Sequence, residues 1–193
     1  MNRRLFASLA AGFLLASTYS FAQATTWAID KNHSQADFEI RHLGVSNVRG
    51  SISGVTGTVV WDENDPSKSS VTAVLDATTV DTGNSMRDKD LKSDHFFNVD
   101  KFPTITFKST SVSKVDGKLK ITGDLTITGI AKPITFDVDG PSAPQKGMGG
   151  KIVTGFEATG VLKRSDYTFG PKYTPPMLGE EVKFTIDIEA AKQ

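Results

Sequence analysis

Lys118-Leu119-Lys120-Ile121-Thr122-Gly123-Asp124-Leu125-Thr126-Ile127 is the stretch on which the fold turns. Leu119, Ile121, Gly123, Leu125 and Ile127 fall on one side of an extended chain. Lys118, Lys120, Thr122, Asp124 and Thr126 fall on the other. Successive side chains of a strand point to opposite faces, so this alternation buries one face and wets the other. Asp116-Gly117 just before it is a hairpin signal, because both residues tolerate the left-handed backbone of a tight turn. The same period of two recurs along the chain. Ala36, Phe38, Ile40 and His42 share a face, as do Val55, Gly57, Val59 and Trp61, and then Val71, Ala73, Leu75 and Ala77. Ile134, Phe136 and Val138 follow, then Phe156, Ala158, Gly160 and Leu162, and finally Val182, Phe184, Ile186 and Ile188. About eight half-buried antiparallel strands joined by short turns are predicted.

Three stretches break the pattern. Asn84–Asp94 is charged and lacks β-branched residues, which predicts a short helix near one mouth of whatever the strands enclose. Gly140–Gly150 is rich in glycine and proline, and Tyr167–Gly179 holds Pro171, Pro175 and Pro176 and is excluded from any central strand. Eight strands in meander order expose two edges unless the sheet closes on itself, so the predicted architecture is all-β, an eight-stranded antiparallel up-and-down barrel of lipocalin type. Such a barrel is just wide enough to be filled by side chains or to hold one narrow ligand. Gly57, Gly123 and Gly160 on the inward faces leave two readings open, a cavity or local bends.

Residues 1–24 read as a cleavable export signal: Arg3 and Arg4, an apolar run from Leu5 to Ala16, and the small-x-small triplet Ala22-Gln23-Ala24. The run is too short to span a bilayer, and no later segment is apolar enough. The domain is then residues 25–193, with a periplasmic location expected. The signal takes two of the chain's 22 basic side chains and none of its 22 acidic ones, leaving a net charge near −2. Clustered Lys and Arg of the kind nucleic acid demands are absent. The chain has no cysteine, which excludes disulfides, thiolate chemistry and a lipoprotein anchor.

Several motifs, taken in order, carry a resemblance. Asp30-Lys31-Asn32-His33-Ser34, Phe38, His42-Leu43-Gly44 and Val48-Arg49-Gly50 open the series. Thr79-Val80-Asp81-Thr82, Arg87-Asp88-Lys89-Asp90-Leu91, Asp94-His95-Phe96-Phe97, Lys101-Phe102-Pro103 and Phe107 continue it. Gly123-Asp124-Leu125-Thr126, Gly129, Lys132-Pro133 and Lys163-Arg164-Ser165-Asp166-Tyr167 complete it. This ordered set resembles the YceI-like family across the chain beyond the signal. One departure is that Thr168 and Phe169 stand between Tyr167 and Gly170, where the family's glycine follows its aromatic more closely. The resemblance implies a lipocalin-like barrel around an apolar tunnel. It implies a bound isoprenoid chain, such as a polyprenyl pyrophosphate or the tail of ubiquinone, or else a fatty acid or fatty amide. Family members are mostly periplasmic or secreted and are not established enzymes.

On this reading the tunnel is lined by Phe38, Ile40, Trp61, Leu91, Phe96, Phe97, Phe102, Phe107, Phe136, Phe156 and Phe184. The chain's twelve phenylalanines far outnumber its three tyrosines and two tryptophans, and phenylalanine keeps donors out of a hydrocarbon site. Head-group candidates are His42, in phase with Phe38 and Ile40; Arg87, on the helix; and Arg164, in phase with Leu162. An inward arginine needs a partner, which is either a ligand anion or a carboxylate such as Asp166. His33 and His42 lie nine apart, on opposite faces of a regular strand, and make a poor metal pair. Ser85, Ser93 and Ser165 have no patterned His and Asp partners. The Asp residues from Asp81 to Asp94 lack the spacing of a calcium loop. The chain therefore reads as a binding protein for an amphiphile, with no catalytic residue and no metal, as a monomer or homodimer with transient membrane contact. Two alternatives stay open. One is a small enzyme using His42 with Asp88 or Asp166, and the other is a stress-related interaction protein with a solidly packed barrel.

Overall fold

A computed structural model describes residues 24–193. The expected signal lies outside them, apart from Ala24. The strands are β1 (Thr25–Ile29), β2 (Gln35–His42), β3 (Ser46–Ser53), β4 (Thr56–Trp61), β5 (Ser70–Asp76), β6 (Thr104–Val115), β7 (Lys118–Ile127), β8 (Ile130–Asp139), β9 (Gln145–Lys146), β10 (Ile152–Lys163) and β11 (Leu178–Lys192). Among the described residues one α-helix, α1 (Ser85–Lys92), interrupts them.

Eleven segments make eight staves. β1 and β2 run in line along one edge of β11, with Ile29 opposite Ala190 and Gln35 opposite Asp187. β3 and β4 form the next stave, with β4 paired to β1 and β3 to β2. β5, β6, β7, β8 and β10 follow in order, each antiparallel to its neighbour, and β10 pairs with β11 to close the ring. The predicted eight-stranded barrel is the observed one. The first two staves are each broken once, for local reasons. Between β1 and β2 the buried Ser34 takes over the missing rungs, donating to the Glu189 carbonyl (3.3 Å) and accepting from the Glu189 amide (3.0 Å). Between β3 and β4, Gly54 turns at φ 73° and Val55 becomes fully buried. β6 and β10 each hold 12 residues. At about 3.3 Å per residue and a tilt of about 40°, the wall stands roughly 30 Å tall.

The up-and-down order places four connections at one end, called upper here. They are the turn 43–45, the segment 77–103 with α1, the turn 128–129 and the strap 164–177. α1 matches the helix expected over Asn84–Asp94. Asn84 caps it by accepting from the Arg87 amide (3.1 Å), and Lys89 and Lys92 sit near its carbonyl end. At the lower end the glycine-rich stretch 140–150 is mostly irregular, as expected, but β9 within it adds two residues of pairing to β10.

Gly57 is not a cavity-forming glycine. Its φ is 144°, and a Cβ there would fall 2.0 Å from the Thr72 carbonyl oxygen on β5. Only glycine lets β4 and β5 approach so closely. Gly57→Ala is therefore expected to cost about 3 kcal/mol of stability, combining an unfavourable backbone with a backbone clash. Denaturant unfolding measures this, and a loss under about 1 kcal/mol would contradict it.

Candidate binding tunnel

The inward faces enclose a cavity of about 470 Å³ along the barrel axis, within the range of pockets that take small molecules. Its wall is almost wholly aliphatic and aromatic. Phe38, Ile40, Trp61, Leu91, Phe96, Phe97, Phe107, Phe136, Phe156 and Phe184 all line it. At the lower end Trp61 and Phe156 meet edge to face, with centroids 6.3 Å apart. At the upper end the lining includes His42 and Met177, which are exposed, so the cavity reaches solvent there.

Phe102 departs from expectation and does not line the cavity. It ends the segment between α1 and β6, and its ring lies against Gly129 in the β7–β8 turn, where a Cβ would come within 2.9 Å of it. The Lys101 ammonium sits 5.2 Å from its centroid. Outside the strands, no alternation exists to say which way a ring points.

Gly123 and Gly160 do face the cavity, and each is covered by a neighbouring ring. A Cβ at Gly160 would lie 2.5 Å from Phe184 Cζ, and one at Gly123 would lie 2.6 Å from Phe107 Cζ and 2.4 Å from the Lys108 carbonyl oxygen on β6. Gly50 on β3 plays the same part for Phe38, at 2.5 Å. Each glycine gives a phenyl ring room to lean along the wall. From opposite sides Phe107 and Phe184 lean toward Phe136 and contact it edge to face, at 4.9 and 5.2 Å between centroids. Such edge-to-face pairs are favoured by the ring quadrupole. A girdle of rings thus lines the middle of the barrel.

The three head-group candidates end in different states. Arg164 is 4 % exposed and fully committed. Its Nε donates to the Gly179 carbonyl (2.8 Å), and Nη1 donates to those of Phe169 (3.0 Å) and Gly170 (2.8 Å). Nη2 donates to those of Tyr173 and Leu178. Its charge is met by Glu180, at 3.7 Å, and not by Asp166. Glu180 is held below the ordinary carboxylate range, first by hydrogen bonds from Ser165 and then by Arg164. Arg164 is therefore a clamp that ties the strap to β11, with no donor left for a ligand. Arg87 is half-buried on α1 and lines the cavity. Its Nε donates to Thr82 Oγ1 (2.7 Å) and Nη2 to the Thr82 carbonyl (2.9 Å), and Nη1 has no hydrogen bond among the described residues. His42 stands at the rim and has no ion pair among the described residues. The carboxylate suggested for it at Asp88 instead accepts from the Thr82 amide (2.9 Å) and hydroxyl (2.5 Å). His95 is the upper-end histidine that meets carboxylates, Asp90 at 3.2 Å and Asp94 at 3.9 Å.

The strap and the first residue of β11 contribute lining that sequence reading missed: Tyr167, Phe169, Tyr173 and Met177, then Leu178. Phe169 packs edge to face on Phe96 and Phe97, and Tyr173 stacks on Phe96 at 5.5 Å. The strap has no strand period, so only its aromatic density marked it. Away from the tunnel, Asp30, His33 and Glu189 bring three ligand-type groups together at the lower end. There His33 Nδ1 is already bound to Asp30, at 3.0 Å.

Residues 27–190 match the YceI-like domain family. Protein YceI of Salmonella arizonae is 39 % identical over 187 residues, covering 94 % of this chain and 96 % of that protein. A Campylobacter jejuni YCEI protein of known structure is 32 % identical, with a TM-score of 0.70 over 79 % of this chain and 90 % of the other. Burkholderia cenocepacia BcnA shares the fold at 20 % identity, with a TM-score of 0.72 over 83 % of this chain and 98 % of the other. So does a polyisoprenoid binding domain from Saccharophagus degradans, at 13 % identity, with a TM-score of 0.65 over 88 % of this chain and 99 % of the other.

Two measurements check this geometry. Gly160→Ala is expected to drive the Phe184 ring into the tunnel and weaken binding of an apolar fluorescent probe about tenfold, or about 1.4 kcal/mol. Adding Phe184→Leu should restore it, and equal affinity across the series would show that the ring does not control the passage. Burial, and behind it the Asp166 carboxylate, pushes the Tyr167 hydroxyl up to about 12. The folded state resists ionisation that the unfolded chain undergoes near 10. Its stability is therefore undiminished below about pH 10 and falls as pH rises toward 12. The decline should be steeper than in Tyr167→Phe, as read by urea unfolding across that window.

Proposed function

This chain belongs to the YceI-like family, and from that premise we propose that it sequesters or carries an isoprenoid-tailed lipid in the periplasm. A polyprenyl pyrophosphate or a ubiquinone-like quinone is the cargo that the reading favours. The observation that carries the proposal is the distribution of polarity around the cavity. The wall is hydrocarbon apart from Asp37 and the lower-end Ser69, whose hydroxyl accepts from the Asp62 amide, while Arg87, Asp90 and His42 lie on segments at the upper end. An amphiphile of that shape puts its tail along the axis and its head among those groups, with Arg87 Nη1 and the His42 ring as donors. The signal-like residues 1–24 supply the argument for export.

The energetics suit a carrier. Each methylene leaving water gains about 0.8 kcal/mol, so a long tail gains on the order of 20 kcal/mol in the barrel. A bilayer offers nearly the same gain, so transfer between bilayer and barrel is close to balanced, and the protein can both load and release. A fatty acid or amide obeys the same arithmetic and is the second reading. A catalytic role for His42 is disfavoured by the engagement of Asp88 with Thr82. A solidly packed barrel is disfavoured by the continuous void.

The test is organic extraction of the protein purified from the cells that make it, followed by mass spectrometry. An isoprenoid lipid near equimolar amount is expected. A straight-chain acyl lipid would transfer the proposal to the second reading, and the absence of any amphiphile would contradict both.

A further inference from the structure

The upper opening is edged by exposed apolar side chains. Val45 is 75 % exposed, Leu43 51 % and Met177 50 %. They belong to one patch. The Leu43 amide donates to the Met177 carbonyl (3.1 Å), joining the β2–β3 turn to the strap, and Pro175 and Pro176 lie exposed beside Met177. The patch is continuous with the tunnel, since Met177 at the end of the strap, Leu178 at the start of β11 and His42 at the end of β2 also line the cavity.

Two further observations say what the patch faces. Leu43 is held at φ 52°, a left-handed conformation that is unfavourable for a bulky side chain and far easier for Asn, Asp or Gly. A leucine kept there and exposed at a turn tip is strained for something other than folding. The two segments that carry the patch also hold charge of one sign. Residues 41–47 and 171–178 carry Arg41, His42 and Lys172 and no acidic residue, in a chain with 22 acidic and 22 basic side chains overall. Of the acids around it, Glu39 is engaged with Arg49, Glu180 with Ser165 and Arg164, and Asp90 with His95, while Glu181 lies in the groove beside Arg41 and Lys163.

We infer that this upper tip is a docking surface for an anionic lipid bilayer. Leu43, Val45 and Met177 enter the boundary between head groups and acyl chains, while Arg41 and Lys172 meet lipid phosphates. The tunnel mouth then opens onto the acyl phase, and a tail passes between bilayer and barrel without crossing water. The inference rests on the lipid-carrier reading for its purpose, but not for its test.

All eight staves come from residues 25–192, so a chain beginning at Ala24 holds the whole barrel and omits the apolar leader that would itself bind membranes. It is sedimented with vesicles of phosphatidylethanolamine and phosphatidylglycerol, and with vesicles of phosphatidylcholine alone. Binding to the anionic vesicles is expected, weakened by salt and weaker on phosphatidylcholine. The Leu43→Asp/Val45→Asp double variant should lose at least about tenfold of this binding. It keeps the fold because aspartate accepts the left-handed turn more readily than leucine does, and a thermal melt checks that. Lys172→Glu, in the strap and outside the tunnel lining, provides an independent second variant with a similar expected loss on the anionic vesicles. Solution affinity for a fluorescent geranylgeranyl probe should stay unchanged in both variants. Probe binding that fails even in the wild type counts against the lipid-carrier reading and leaves the vesicle result to be judged by itself. Vesicle binding that is absent in the wild type, or equal in wild type and variants, overturns the docking inference. So does a wild-type dimer that the double variant dissociates, because a second copy would then cover the patch.

Discussion

The structure depends on phenyl rings lying down. Phe184 leans over Gly160, Phe107 over Gly123 and Phe38 over Gly50, and at each glycine a single added carbon would collide with the ring. An eight-stranded barrel is at the size limit where inward side chains fill the interior. Rings standing perpendicular to the wall would meet at the axis. Laid along the wall, they keep their buried area and their edge-to-face contacts while leaving about 470 Å³ open. The hollow is therefore a consequence of paired choices on neighbouring strands, glycine on one and phenylalanine on the next.

The mouth depends on a different interaction. The strap 164–177 has no ladder to hold it, and its carbonyls would be left unpaired where it crosses the barrel end. Arg164 collects those carbonyls on one guanidinium, whose planar set of donors suits several acceptors at once, and Glu180 balances the charge. This is an inward arginine whose cost of burial is met by protein and not by ligand. It fixes Phe169 and Tyr173 against Phe96 and Phe97, and so sets the shape of the upper opening.

The barrel was legible because half-buried strands write their facing into every second residue. Phe38, Trp61, Phe107, Phe136, Phe156 and Phe184 point inward as their phase required. Legibility stopped where the phase stopped. Phe102 follows a helix and precedes a proline, and nothing local fixes its ring, which packs on the outer turn at Gly129. Tyr173 and Met177 reach the cavity only because Arg164 pins their segment, through carbonyls 5 to 15 residues further on that no strand period marks. The glycines were half legible. Their inward phase was plain, but that Gly57 serves a close strand contact, Gly160 seats a ring and Gly123 does both depends on what lies on the adjacent strand. The division of eight staves into eleven segments follows likewise from side-chain substitutions for ladder bonds, Ser34 above all.

The most direct test of this account is a crystal structure of the protein taken from its producing cells without delipidation, examined along the barrel axis. The account predicts continuous tubular density passing the faces of Phe107, Phe136 and Phe184, with its polar end near Arg87 and His42. Rings standing across the axis and closing the passage, or a file of ordered waters in place of a tail, would contradict it.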